Sequence, residues 1–169
     1  MSYTYVYGIR PDGHLEEIGE VQNSWRFMVA IWDGLMQIHG IPHTSGLDVK
    51  GLDLLWKQVA DLPRHDALLC LATFDRCWFH QELTTELFQA LCTERRFSSA
   101  CYEVARVIEK HGTTGLRGVA FSGSISMTWS CAKTDSLHRL DDAGHACADC
   151  GKKLQDADHA LRKMECCRE

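Results

Sequence analysis

Residues 3–9 read Tyr-Thr-Tyr-Val-Tyr-Gly-Ile. In an extended chain Tyr3, Tyr5 and Tyr7 fall on one face and Thr4 and Val6 on the other, and these aromatic and β-branched types favour a strand. Pro11-Asp12-Gly13 predicts a turn. His14 to Val21 then returns as a second strand, with Leu15 and Ile18 in imperfect alternation. The chain therefore opens with a predicted β-hairpin.

The period changes after Asn23-Ser24, a pair suited to capping a helix. Trp25, Met28, Val29, Trp32, Leu35 and Met36 follow at spacings of three and four and form one apolar stripe. That helix should stop near His39-Gly40. Residues 42–46 read as a loop, and a second helix over 49–61 buries Leu52, Leu55, Trp56 and Val59, with Pro63 ending the region. Ala67 to Phe74 is a continuous apolar run, which predicts an inner strand. Residues 80–95 read as a helix with Leu83, Leu87, Phe88 and Leu91 on one side. Ser98 or Ser99 begins another, burying Cys101, Val104, Ala105 and Ile108 and stopping at Gly112. From Leu116 to Trp129 the period returns to two, through Val119 and Phe121 and then Ile125, Met127 and Trp129. Ser122-Gly123-Ser124 reads as a bulge or a turn between two strands.

The order is thus two strands, two helices, a strand, two helices and one or two strands. An α+β fold follows, with a mixed or antiparallel sheet, an N-terminal hairpin, about four helices packed on it and a small C-terminal segment. Apolar residues thin out after Trp129, while Asp, His, Lys and Cys dominate. We therefore expect an α+β core over 1–130 and a cysteine- and histidine-rich zinc-binding tail over 131–169.

Composition narrows the function classes. The 169 residues are 45% hydrophobic and 24% charged, with a formal net charge of -5. The tail carries seven of the basic and eight of the acidic side chains, leaving eleven basic against fifteen acidic in the core. Neither part is basic enough to hold duplex DNA by charge alone. Met1 to Tyr7 has neither the basic nor the apolar part of a signal peptide, and no apolar run approaches the length of a membrane span. The nine cysteines cannot all pair within one chain. Thiols and metal ligands in a reducing, cytoplasmic setting are the expected reading.

Cys147-Ala-Asp-Cys150-Gly-Lys is the one specific motif. Two thiolates three positions apart in a tight turn can occupy two corners of a Zn²⁺ tetrahedron, while the following glycine eases the turn and nearby amides hydrogen-bond the sulfurs. A segment with so little apolar surface can gain its order from the ion. These six residues resemble the knuckle of zinc-ribbon and treble-clef proteins, which implies a metal. Cys131 lies sixteen residues before Cys147, a ribbon-like separation. A ribbon would place a second cysteine at 134, where Thr134 stands. His138 or His145 can supply that corner, or Cys166 can close the site from behind. His159 and Cys166 are two helical turns apart, a rise of about 10.5 Å, so at most one of them joins. A thioredoxin-like redox pair would need the motif at a helix start after a strand, which polar Asp141 to Ala148 does not offer. Cys70, Cys92 and Cys101 sit in or beside apolar stripes and read as packing residues, as does Cys77 beside Trp78 and Phe79.

No phosphate-binding glycine loop, no nucleophile elbow, no H-E-x-x-H and no zinc-deaminase pattern is present. One polar group is a candidate catalytic site: Asp75, His80 and Glu82, with the His43-Thr44-Ser45 loop beside them. The plainer reading has Asp75 shaping a turn and Glu82 favouring a helix start. The tyrosine face of the hairpin has two readings as well, a partner surface or a face covered by the protein's own helices.

The compact make-up, the Tyr-rich N-terminal hairpin and Thr73-Phe74-Asp75 after the apolar run resemble small accessory proteins of bacteriophages and prophages. That resemblance implies a protein that works by binding, such as a counter-defence inhibitor of a host protein. The leading expectation is a non-enzymatic interaction protein holding one zinc ion. Its acidity suits a basic partner, for instance a nucleic-acid-binding complex. The alternatives are a zinc-knuckle nucleic-acid binder using Lys152, Lys153, Arg162 and Lys163, and an enzyme built on Asp75, His80 and Glu82.

Overall fold

The computed structural model describes residues 3–22, 24–45, 47–111, 115–123 and 128–162. The expected cap at Asn23, the stop at Gly112, the strand positions Ile125 and Met127, and Lys163 and Cys166 lie outside these residues. Strands β1 (Tyr3–Ile9) and β2 (Leu15–Gln22) lead into helices α1 (Ser24–Ile38) and α2 (Val49–Lys57), a short 3-10 turn (Val59–Asp61) and helix α3 (Arg64–Leu71). Strand β3 (Cys77–His80), helices α4 (Gln81–Thr93) and α5 (Ser98–His111) and strand β4 (Gly118–Gly123) complete the main body. The C-terminal segment adds β5 (Ser130–Cys131), β6 (Ser136–Leu137), β7 (Gln155–Asp156) and α6 (Ala157–Arg162). None of the described helices is long and apolar enough to cross a membrane.

The α+β class and the N-terminal hairpin are as expected. The main sheet has the order β2-β1-β4-β3-β7. Its first four strands pair antiparallel, and β7 joins β3 in parallel. The hairpin turn forms at Pro11-Asp12-Gly13, with the Gly13 N–H donated to the Arg10 carbonyl at 2.9 Å. Gly13 has φ 86°, a left-handed conformation that suits glycine.

One expected element is of the other type. Ala67 to Phe74 is not a strand: its first five residues belong to α3, and Ala67 to Leu71 are all buried. A run apolar on every side carries no period, so pattern cannot separate a buried strand from a buried helix. Composition favours the helix, because the run is built from Ala and Leu and contains no β-branched residue before Thr73. The strand comes a turn later, at Cys-Trp-Phe-His. Asp75 makes the connection with φ 55°, and its carboxylate accepts the Gly123 N–H, both oxygens lying at 2.9 Å. This tethers the α3–β3 turn to the end of β4. With α3 and the C-terminal α6 the described residues hold six helices rather than the expected four.

The sheet buries residues on both faces. On one, Val6, Ile18, Val21, Phe79, Val119 and Phe121 meet α1, α3, α4 and α5 in the larger core. On the other, Ile9, Leu15, Trp78 and Ala120 meet Trp129, Cys131, Leu140, Cys147 and Leu154. The C-terminal segment is thus bound on both sides of the sheet: its loops cover the second face, while Ala157 and Ala160 of α6 reach the larger core. Trp129 is fully buried and donates its indole N–H to the Phe121 carbonyl at 2.6 Å.

Candidate metal centre

The cluster begins with a short hairpin. Strands β5 and β6 pair antiparallel, Cys131 opposite Ser136, with Asp135 at φ 52° in the turn. One step outward, the His138 N–H bonds the Trp129 carbonyl at 2.8 Å. This register puts Cys131 and His138 on the same face of the hairpin, because side chains alternate along each strand. Residues 139–147 then fold back, and Leu140 bridges to Cys147. The Cys147-x-x-Cys150 knuckle is closed by the Gly151 N–H on the Cys147 carbonyl and the Cys147 N–H on the Lys152 carbonyl, both at 2.8 Å. Gly151 has φ 73°, so the glycine eases the turn as expected.

Cys131, His138, Cys147 and Cys150 converge, with one donor atom from each and all four donors within 4.8 Å of one another. Cys131 and His138 are about 1% exposed and Cys147 2%, while Cys150 is the most open of the four. The Cys131 and Cys147 sulfurs are 3.9 Å apart, and the Cys150 sulfur is 3.8 Å from His138 Nδ1. A tetrahedral ion with bonds of about 2.3 Å to sulfur and about 2.0 Å to nitrogen gives edges of about 3.8 Å between sulfurs and about 3.5 Å between sulfur and nitrogen. The two separations are opposite edges of that tetrahedron. The donor set therefore fits a four-coordinate ion.

Surrounding groups orient the donors. The Cys131 thiol is drawn down to about 7, first by its hydrogen bond with the Thr134 side chain, with the Lys133 and Thr134 backbone helping and burial opposing. Thr134 thus stands where a ribbon would have a ligand and supports the sulfur instead. For Cys150 the Lys152 amide favours the thiolate, but burial and the neighbouring Cys147 and Cys131 sulfurs outweigh it and raise the pKa. Crowding of sulfurs that resist joint ionisation is relieved by a cation between them. Burial, then Lys152, holds His138 below its usual range, which favours the neutral imidazole a metal requires. Its Nε2 is buried without a well-formed hydrogen bond.

The other candidates fall elsewhere. His145 is exposed, and its N–H bonds the Asp141 carboxylate at 2.8 Å. It lies outside the cluster because the turn from Asp141 carries it outward, and His138 is the histidine within the cluster. His159 is on α6, also outside the cluster. Asp75 serves the Gly123 amide, His80 caps α4 by accepting the Leu83 N–H at 3.4 Å, and Glu82 is exposed in the first turn of α4. His43 contacts the Ile41 carbonyl at 2.8 Å and Asp33 at 3.1 Å, and Thr44 bonds the α2 cap Asp48. These groups therefore have local structural work. Among the tail cations, Lys152 bonds the Thr128 carbonyl at 2.9 Å and Arg162 pairs with Asp158 at 2.5 Å, while Lys153 is exposed.

One polar cluster has no sequence signature. Arg96 bridges Asp66 at 2.6 Å and Glu94 at 2.8 Å, while His39 and His65 bond the same two carboxylates at 2.8 Å each. Asp66 and Glu94 are buried. The five residues come from the turn just after α1, from α3 and from the link after α4, so no local spacing connects them.

Fold and site together define an α+β protein with a largely buried Cys₃His cluster that can hold a metal ion. Comparison with known protein families, with curated proteins and with solved structures finds no match.

Proposed function

We propose that Cys131, His138, Cys147 and Cys150 hold one zinc ion in a structural site, and that the protein so fastened works by binding another protein. The observation that carries the metal reading is the pair of opposite edges, 3.9 Å and 3.8 Å, in a cluster of three thiols and one imidazole. Soft thiolates with one imidazole select zinc among abundant divalent ions. Four protein donors leave no open coordination position, the arrangement of structural rather than catalytic zinc. Cobalt substitution tests it. Co²⁺ added to the metal-free chain should give the intense visible bands of a tetrahedral thiolate site and be displaced by one equivalent of Zn²⁺. Bands of octahedral cobalt, or none, would contradict it.

What supports the binding role is the acidic charge balance together with the local structural duties of Asp75 and His80. An accessory protein that modulates a host factor is one form of it. Affinity capture with the zinc-loaded chain tests it, with the chelated chain as control. No specific partner at micromolar concentration would count against it.

A further inference from the structure

Beyond the metal module, one sheet face runs on with no described element packed over it. Strands β1 and β2 place Ile9 opposite Leu15, Tyr7 opposite Glu17, Tyr5 opposite Glu20 and Tyr3 opposite Gln22. Directly opposed residues project from the same side of a sheet, and this side is the one away from the α1–α5 core. The face is graded. Ile9 and Leu15 are buried under the tail, and Tyr7 packs at the rim of that cluster. Tyr3 and Tyr5 are only half-buried, with rings 6.1 Å apart and tilted by 34°. Glu17 and Glu20 are exposed, and among the described residues neither has an ion pair within 4.0 Å.

The chemistry of the strip is aromatic and negative. Burial, then the charge of Glu17, then Tyr5 and Asp75, push the Tyr7 hydroxyl up to about 12. β2 is also the edge strand of the sheet, with Glu103, Arg106 and Lys110 of α5 lining the groove beside it. Tyrosine rings beside carboxylates suit a guanidinium or ammonium, which stacks on the ring and pairs with the acid. Tyrosine is also enriched where proteins meet.

We propose that the strip formed by Tyr3, Tyr5, Glu17 and Glu20 docks an extended, arginine- or lysine-bearing segment of a partner protein. This rests on the reading of the chain as a binding protein and specifies the chemistry of its partner. The metal module secures the Ile9–Leu15 end of the hairpin, so the strip is presented on a fixed sheet.

The test uses the ¹⁵N-labelled, zinc-loaded full chain and a blocked peptide of alternating threonine and arginine. A threonine–glutamate peptide is the control. The arginine peptide should shift the β1 and β2 amides and bind at least tenfold more tightly than the control. Tyr5→Ser, and separately the double variant E17K/E20K, should each weaken it at least tenfold, while Glu86→Lys on the exposed side of α4 changes it less than twofold. Equal loss in Glu86→Lys would mean general attraction to an acidic surface and overturn the proposal. Absence of binding, or shifts confined to other elements, would also overturn it. The face variants are then carried into the lysate capture. A partner retained undiminished by E17K/E20K defeats the docking strip and leaves the binding role standing. Failure of the wild-type chain to capture anything defeats the binding role itself.

Discussion

Leu140 donates its backbone N–H to the Gly13 carbonyl at 2.8 Å, so the turn of the N-terminal hairpin and the chain entering the metal knuckle are held together directly. A Cβ on Gly13 would stand 2.1 Å from the Leu140 carbonyl oxygen. With φ at 86°, the position opposes any side chain by conformation and by space. Gly13→Ala should therefore cost about 2–3 kcal/mol in urea unfolding, a strained backbone plus a displaced contact. Amide exchange should quicken at residues 138–147. An unchanged midpoint would mean the two segments are not truly docked.

Ligand identity is tested by substitution in the tail. His138→Ala and Cys147→Ser should each weaken metal binding by more than about a hundredfold, since a lost ligand should cost at least as much as the upper end of the 10–100-fold typical of lost outer-shell support. His145→Ala should leave it unchanged. Competition against a chromophoric chelator reads both. Weakening by His145→Ala with none by His138→Ala would reverse the assignment.

Thiol reactivity gives an independent map. Burial pushes the Cys101 thiol up to about 12 and raises Cys70 further still, with Glu94 and Cys77 adding to each in turn. Both should resist iodoacetamide in the native state, because the thiolate is the reactive form. Exposed Cys92 should react at once. Cys131, Cys147 and Cys150 should react only after chelation. Fast labelling of these three with metal present would show that they are not ligands.

The Asp66–Arg96–Glu94 cluster should dominate the acid response of the core. Glu94 is held at about 2: burial alone would raise it, but the side-chain bonds from Arg96 and His65 prevail. Its folded pKa is below the unfolded value, so its contribution is present above about pH 4.5 and is lost as pH falls toward 2. Glu94→Gln should flatten stability across that window. Arg96→Met strands two buried carboxylates; because Arg96 is itself 39% exposed, we expect about 2–4 kcal/mol, short of the full cost of breaking a buried pair. Urea titrations at stepped pH check both.

Much of this architecture was legible because it follows local periods. The hairpin reads from tyrosines at period two and a Pro-Asp-Gly turn, and α1, α4 and α5 from stripes at three and four. Ala67 to Leu71 carries no such signal, because burial on all sides erases the period and leaves only residue type to decide. That Cys147 and Cys150 come together was legible by spacing. The choice between His138 and His145 was not, since it depends on how β5 pairs with β6. Nor was the Arg96 cluster, whose members meet only once three helices have packed.

Native mass spectrometry of the freshly purified chain, followed by hydrogen exchange with and without a chelator, tests the central claim most directly. The account predicts one zinc per chain, and slow exchange over residues 128–151 that becomes fast once the ion is removed. A metal-free mass with that segment equally protected in both conditions would contradict it.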